Sequence, residues 1–74
     1  MQEEFLMLGL RMNKGISISE FNIRFNCNFY NKFKNVISKL QKLQLIDIVS
    51  DNLFLTEKGL DLCDSVVLEF IEEL

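Results

Sequence analysis

The chain has 74 residues, a net charge of −3 and a hydrophobic content of 49% that includes seven phenylalanines. This length suits one domain with a small core of its own. No long apolar run predicts a membrane span, and no signal-peptide pattern is present. The absence of histidine, of a Cys-x-x-Cys pair and of a glycine-rich loop argues against a catalytic, zinc-binding or phosphate-binding site within these residues.

The charges are segregated along the chain. Residues 11–43 carry seven basic side chains against one acid, whereas residues 44–74 carry eight acids against one lysine. Such asymmetry can mark an interaction surface, or the two halves can pair with each other. The two cysteines, Cys27 and Cys63, are expected to be reduced, with Cys63 in the core, as in a cytoplasmic protein.

The first predicted helix covers residues 1–12 and ends before Gly15, which suits a positive φ. Gly9 inside this helix is expected to allow a neighbouring element to approach closely. The helix would face the core along an apolar stripe. That stripe consists of Phe5, Leu8 and Met12, widened by Leu6 and Leu10.

A second helix is predicted to begin at Ile16–Glu20. Ser17 and Glu20 within that stretch have the spacing of a capping box, in which each side chain binds a free backbone amide. Phe21 and Phe25 follow one turn apart and are expected to face inward. Asn28 is a candidate cap for the next helix, so the two helices form a candidate helix-turn-helix.

The third predicted helix runs from 29 to 43 as one amphipathic segment. Its apolar stripe consists of Phe29, Phe33, Val36, Ile37, Leu40 and Leu43. A final helix, capped by Thr56, is predicted to end near Glu72. Its apolar stripe consists of Leu60, Cys63, Val67, Phe70, Ile71 and Leu74.

Between these helices, apolar residues alternate on either side of a turn that we place at Asp51-Asn52, which predicts a β-hairpin. The alternating residues are Ile46, Ile48, Leu53 and Leu55. The turn would pair Ile48 with Leu55 towards the helices and Val49 with Phe54 on the outer face. The outer pair could be an interface, or the final helix could cover it.

A helix followed by a two-stranded wing predicts the fold class: mostly α with a small β-hairpin (α+β), as one winged-helix-like or helix-turn-helix-like domain over residues 1–74. Two stretches then carry a resemblance to a known family. One is EFLMLGLR at residues 4–11 followed by GIS at 15–17, and the other is LFLTEKGL at 53–60. Together they resemble the C-terminal domain of the oxygen-independent coproporphyrinogen III oxidases and their haem-chaperone-like relatives, which are radical SAM proteins.

The resemblance covers nearly the whole chain and implies an excised accessory domain of a larger protein. It implies that a [4Fe–4S] cluster and S-adenosylmethionine belong to a missing N-terminal barrel, with no cofactor in this fragment. It also implies that the domain packs on that barrel and helps cover or recognise a tetrapyrrole. Whether the parent is an oxidoreductase of haem biosynthesis or a haem-transfer relative stays open.

The residues that match the family as motif positions are Gly9, Arg11, Gly15, Thr56 and Gly59. We predict that Arg11 makes a contact, because a guanidinium can pair bidentately with a carboxylate of the barrel or with a porphyrin propionate. The alternative is a salt bridge to a local acid. With Val49 and Phe54, Arg11 makes up the predicted domain-interface or tetrapyrrole-contact site.

A DNA-binding winged helix is an alternative function, and a protein-docking module is another. The outer face of the third helix would present polar residues to phosphates and base edges. These are Asn31, Lys32, Asn35, Ser38, Lys39 and Lys42. An acidic wing at Asp47 and Asp51 and a pI of about 4.8 argue against this alternative.

Overall fold

Six helices and three strands make up the computed structural model, which describes residues 1–74. In chain order they are α1 (Gln2–Leu10), β1 (Ile16–Ser17), α2 (Ile18–Phe25), α3 (Phe29–Lys32), α4 (Lys34–Lys42), β2 (Ile46–Val49), β3 (Asn52–Leu55), α5 (Glu57–Asp61) and α6 (Cys63–Glu72). The predicted α+β class, mostly helical with a small sheet, is confirmed. The winged-helix assignment stays a prediction.

The three predicted N-caps are present. In each, a side-chain oxygen accepts a hydrogen bond from the backbone N–H three residues further on. The caps are Ser17 (3.2 Å), Asn28 (3.1 Å) and Thr56 (3.0 Å). These bonds satisfy N–H groups that have no partner inside the helix, so the sequence marks where α2, α3 and α5 begin.

The sheet has the strand order β1-β3-β2, and β1 corrects the prediction that Ile16 and Ser17 lie in a helix. Instead, Ile16 pairs with Leu53 in an antiparallel ladder. The strand forms because Gly15, at φ +73°, turns the chain onto β3. A Cβ on Gly15 would lie 1.9 Å from the carbonyl oxygen of Leu53, so both the backbone angle and the close approach require glycine.

The predicted hairpin is present, but its predicted register is wrong by two residues. Ile48 lies opposite Leu53 rather than Leu55, and Val49 lies opposite Asn52 rather than Phe54. The turn residues are therefore Ser50 and Asp51, with Ser50 at φ +57°. The register follows from long-range hydrogen bonds, because the Asp51 carboxylate binds the start of α2 and the Asn52 amide donates to the carbonyl of Lys14.

The two long predicted helices are each bent into two segments, at Phe33 (φ −108°, ψ 23°) and at Leu62 (φ −113°, ψ 29°). Backbone bonds still cross the first bend, from Phe33 N to Phe29 O (2.9 Å) and from Ile37 N to Phe33 O (2.8 Å). The bend lets Phe29 and Phe33 both bury their rings fully. Their rings pack 4.7 Å apart, and both contact Phe70 of α6.

The core is one cluster of 17 buried apolar residues, and it corrects the predicted inner face of α1. Leu6 and Leu10 are fully buried, whereas Leu8 and Met12 are 68% and 60% exposed. Gly9 lies between the two stripes, and a Cβ there would lie 2.2 Å from Cγ2 of Ile16. The close approach to β1 directs the leucine stripe inward and leaves the other stripe outside.

The predicted stripe of the last helix is also wrong at its two ends. Leu60 and Leu74 are 40% and 46% exposed, while Val66, which the prediction left out, is buried. The bend at Leu62 rotates α6 relative to α5, so a single helical stripe cannot describe both segments. Cys63 is half-buried against the core.

Candidate docking groove

An open groove of about 480 Å³ runs along the exposed stripe of α1. Its walls come from α1, from β1 with the turn before it, and from α2. We call it the α1 groove. Its apolar lining consists of Met1, Phe5, Leu8, Met12 and Ile16, and its charged lining consists of Glu4, Lys14, Glu20 and Arg24.

The wall opposite α1 is held in place by hydrogen bonds between the hairpin turn and α2. The Asp51 carboxylate accepts from the Ser17 hydroxyl at 2.6 Å and from the Ser19 backbone N–H at 3.0 Å. The Ser19 hydroxyl donates to the same carboxylate. The hydrogen bond from the Ser17 hydroxyl, followed by that from the Ser19 hydroxyl, holds the pKa of the Asp51 carboxyl below its usual range, because both stabilise the ionised form. The start of α2 therefore has a cap of its own and a second one from the turn.

Arg24 is the best-placed cation of the α1 groove. Its guanidinium carbon lies 5.7 Å from the ring centroid of Phe5 and 5.8 Å from that of Phe25, within range of a cation–π interaction. No salt bridge involves Arg24, since the two salt bridges of the structure belong to Arg11 and Lys39. Arg24 was not among the predicted site residues, and its only signal in the sequence is its position between Phe21 and Phe25 on one helix.

The residues of the predicted contact site lie elsewhere. Arg11 forms a salt bridge of 3.2 Å with Asp64 on α6, and both side chains are more than half exposed. Val49 is 57% exposed and Phe54 is half-buried on the hairpin. None of Arg11, Val49 and Phe54 lines the α1 groove.

The remaining motif positions have structural roles. Gly9 and Gly15 line the α1 groove and allow the close approaches described above. A Cβ on Gly59 would lie 1.9 Å from the carbonyl oxygen of Leu45, so α5 packs directly on backbone. The Thr56 hydroxyl caps α5 and also donates to the carbonyl of Gln44 at 2.7 Å.

The face predicted for nucleic acid lies next to acidic side chains. Lys39 donates to Glu69 of α6 at 2.9 Å, so one cation of the predicted face is already paired. Asn35 and Lys39 share a shallow hollow with Glu69, Glu72 and Glu73. These carboxylates would repel a phosphate backbone.

No group of three or more His, Cys, Asp or Glu side chains is placed to hold a metal ion. Cys27 and Cys63 are free thiols, each half-buried, and two thiols do not make the three-cysteine ligand set of the implied iron–sulfur cluster. The residues of this chain therefore do not fit that cofactor. No helix is long and apolar enough to cross a membrane.

The fold and the groove define a small α+β domain that leaves one apolar face of its first helix open. A family model described as "HemN C-terminal domain" matches residues 1–62. The chain belongs to the HemN C-terminal domain family, which confirms the resemblance read from its motifs.

A curated relative is the "Heme chaperone HemW" of Lactococcus lactis subsp. lactis (strain IL1403). It is 29% identical over 69 residues, which cover 93% of this chain and 18% of the relative. The chain thus spans less than a fifth of the length of the curated relative it matches. No solved structure matches the chain.

Proposed function

We propose that this chain is an accessory domain of a HemN-like radical SAM protein and that the α1 groove docks it on the remainder of that protein. The observation that carries the proposal is the exposed stripe of α1. A helix of a small domain normally buries one apolar stripe and presents a polar one to water. Here the second stripe, with Leu8 at 68% and Met12 at 60% exposure, is apolar as well.

Burial of this stripe against another surface is energetically favourable. Full burial of a leucine or methionine side chain contributes roughly 1.5–3 kcal/mol. Leu8, Met12 and Met1 could therefore contribute several kcal/mol to docking, before the cost of ordering the interface. Family membership supplies the occupant, because the match covers only 18% of the relative and the rest of a parent of that kind would be available to fill the groove.

Within that parent, the domain helps cover or recognise a tetrapyrrole. The relative's name, a heme chaperone, supports this class of ligand for the whole protein. Arg11, Val49 and Phe54 remain the proposed contacts, with Arg11 exchanging Asp64 for a propionate or for a carboxylate of the barrel. The [4Fe–4S] cluster and S-adenosylmethionine belong to the N-terminal barrel of the parent, which is either a coproporphyrinogen dehydrogenase-like enzyme or a haem-binding relative.

Two measurements on the native gene product test the proposal. The first is its mass, which should correspond to a chain several times longer than 74 residues. The second is hydroxyl-radical modification of the intact protein, in which Met12 and Leu8 should be protected. Ile23 is the internal control, because it is 83% exposed and lies outside the α1 groove.

Methionine is intrinsically more reactive to oxidation than isoleucine, so weaker modification of Met12 than of Ile23 would demonstrate a covered groove. A native product of only this length, or full modification of Met12 in the intact protein, would overturn the docking proposal.

A further inference from the structure

We propose that the segment seated in the α1 groove is apolar and carries an Asp or Glu whose carboxylate pairs with Arg24. The occupant is a segment of the larger HemN-like chain that lies outside these 74 residues. The inference rests on the proposed function, since an occupied groove is its premise. The inference adds the chemistry of the occupant and identifies Arg24 as the residue that fixes the position of the segment along the groove.

Two aromatic rings hold the guanidinium of Arg24 in place before any partner binds. Arg24 extends from the last turn of α2. The guanidinium lies over the rings of Phe5 and Phe25 at 5.7 and 5.8 Å, and those two rings meet edge-to-face at an interplanar angle of 89°. A guanidinium held beside two rings in this way loses less conformational freedom when it binds a carboxylate than a free side chain would.

Arg24 has no acidic partner of its own within these residues. Glu20 lies one turn earlier on the same helix but forms no salt bridge with it. Arg11, the other arginine of the chain, is bound to Asp64. Arginines with free donors beside an apolar surface are typical of the residues that contribute most to an interface.

The charged side chains along the α1 groove balance each other. Glu4 and Glu20 line it together with Lys14 and Arg24, so its charged lining is neutral overall. A polyanion such as nucleic acid or an acidic lipid surface would meet the two glutamates. One carboxylate placed at Arg24, on an otherwise apolar segment, meets an attractive partner without that repulsion.

A zero-length cross-link identifies the partner carboxylate directly. Arg24→Lys is made in the intact native protein and treated with a water-soluble carbodiimide, which joins a lysine amine to a carboxylate in contact with it. Peptide mass spectrometry should then find residue 24 linked to an Asp or Glu outside residues 1–74. The native Lys39 is the internal control, because its amine lies 2.9 Å from a carboxylate oxygen of Glu69 and should link to it.

A second pair of variants measures the effect of the charge. Arg24→Glu should increase modification of Met12 in the intact protein severalfold, whereas Lys34→Glu should leave it unchanged, because Lys34 is exposed, lies outside the α1 groove and forms no salt bridge. Circular dichroism of each variant checks that the domain is folded, and Arg24→Lys should retain the wild-type protection because it keeps the positive charge.

The outcomes separate the two proposals. If Met12 is protected in the wild type but Arg24→Lys links only to Glu4 or Glu20, or links to nothing while the Lys39–Glu69 control link forms, the Arg24 inference is wrong and the docking proposal stands. If Met12 is fully modified in the wild type, the groove is open and both proposals fail. A link from residue 24 to an acid outside this domain, with protection lost in Arg24→Glu, supports both.

Discussion

The carboxylate of Asp51 accepts a hydrogen bond of 2.6 Å from the hydroxyl of Ser17, 34 residues earlier in the chain. The same hydroxyl accepts a bond from the backbone N–H of Glu20, and the carboxylate also accepts one from the N–H of Ser19. The turn of the hairpin and the start of α2 therefore share one capping arrangement. This arrangement fixes the helix that carries Arg24 relative to the sheet.

This arrangement predicts an acid-sensitive contribution to stability from Asp51. The hydrogen bonds from the hydroxyls of Ser17 and Ser19 lower the pKa of Asp51 in the folded protein below its ordinary value. The unfolded chain therefore binds a proton more readily than the folded one, and the contribution is fully present above the unfolded pKa. It is lost as the pH falls through the lowered folded pKa.

Asp51→Asn should thus reduce the free energy of unfolding at neutral pH and flatten its decline below about pH 4. Urea unfolding from pH 2 to pH 7 measures both effects. Asp61→Asn is the control, because this exposed carboxyl on α5 has no hydrogen bond to lose. The prediction would be contradicted if the free energy of unfolding declined equally at low pH in Asp51→Asn and in the wild type.

Substitution of the two groove glycines should have unequal costs. Gly15→Ala places a Cβ 1.9 Å from a backbone carbonyl at φ +73°, and the left-handed conformation alone costs of order 1–3 kcal/mol. Gly9→Ala places a Cβ 2.2 Å from Cγ2 of the buried Ile16, so that side chain must move, but the φ of Gly9 is helical and alanine improves the helix propensity by about 1 kcal/mol. Denaturant unfolding should therefore rank Gly15→Ala as clearly the less stable variant. The reverse order would show that the close approach at Gly9 is the stricter constraint.

The two faces of α1 should respond differently to truncation. Leu6→Ala removes a fully buried side chain and should cost roughly 2–5 kcal/mol. Leu8→Ala removes an exposed one and should change the free energy of unfolding of the 74-residue chain by about 0.5 kcal/mol or less. Equilibrium urea unfolding of both variants checks this. Similar losses at positions 6 and 8 would mean that the predicted stripe of Phe5, Leu8 and Met12 packs inward after all.

The proposed role of Arg11 can be separated from its salt bridge. An exposed pair such as Arg11–Asp64 contributes about 0–1 kcal/mol to stability, so Arg11→Ala should barely change the unfolding curve. In the intact protein the same variant should weaken binding of haem, followed by absorbance titration, because a propionate partner is lost. Asp64→Ala is the matched control, since it breaks the same bridge but leaves the guanidinium free. Equal haem affinity in the wild type and in both variants would leave Arg11 with a local role only.

The polar face of α4 should not bind DNA tightly. Lys39 is paired with Glu69, and Glu72 and Glu73 lie in the same hollow. Fluorescence anisotropy with a labelled duplex at low salt should show no saturation up to roughly 10 µM protein, well within the range of ordinary non-specific binders. Glu69→Gln should increase any residual binding, and saturable binding by the wild type would favour the nucleic-acid alternative.

Local sequence signals predicted the elements that depend on neighbours in the chain. Ser17, Asn28 and Thr56 each cap a helix because the N–H they bind lies only three residues away. The alternation of Ile46, Ile48, Leu53 and Leu55 predicted a hairpin, because its two strands are also close together in the chain. The strand β1 escaped prediction because two residues carry no detectable period, and it exists only by pairing with β3.

The sequence by itself thus determined the fold class, the starts of α2, α3 and α5, the presence of the hairpin and the family. The tertiary structure decided the inner face of α1, the register of the hairpin and the exposure of Arg24. The hydrophobic pattern of α1 contains two apolar stripes and does not distinguish between them. The close approach of Ile16 to Gly9 selects the stripe that is buried. Likewise, the turn lies at Ser50-Asp51 because the Asp51 carboxylate binds Ser17. Local turn propensities cannot predict a hydrogen bond between residues so far apart in the chain.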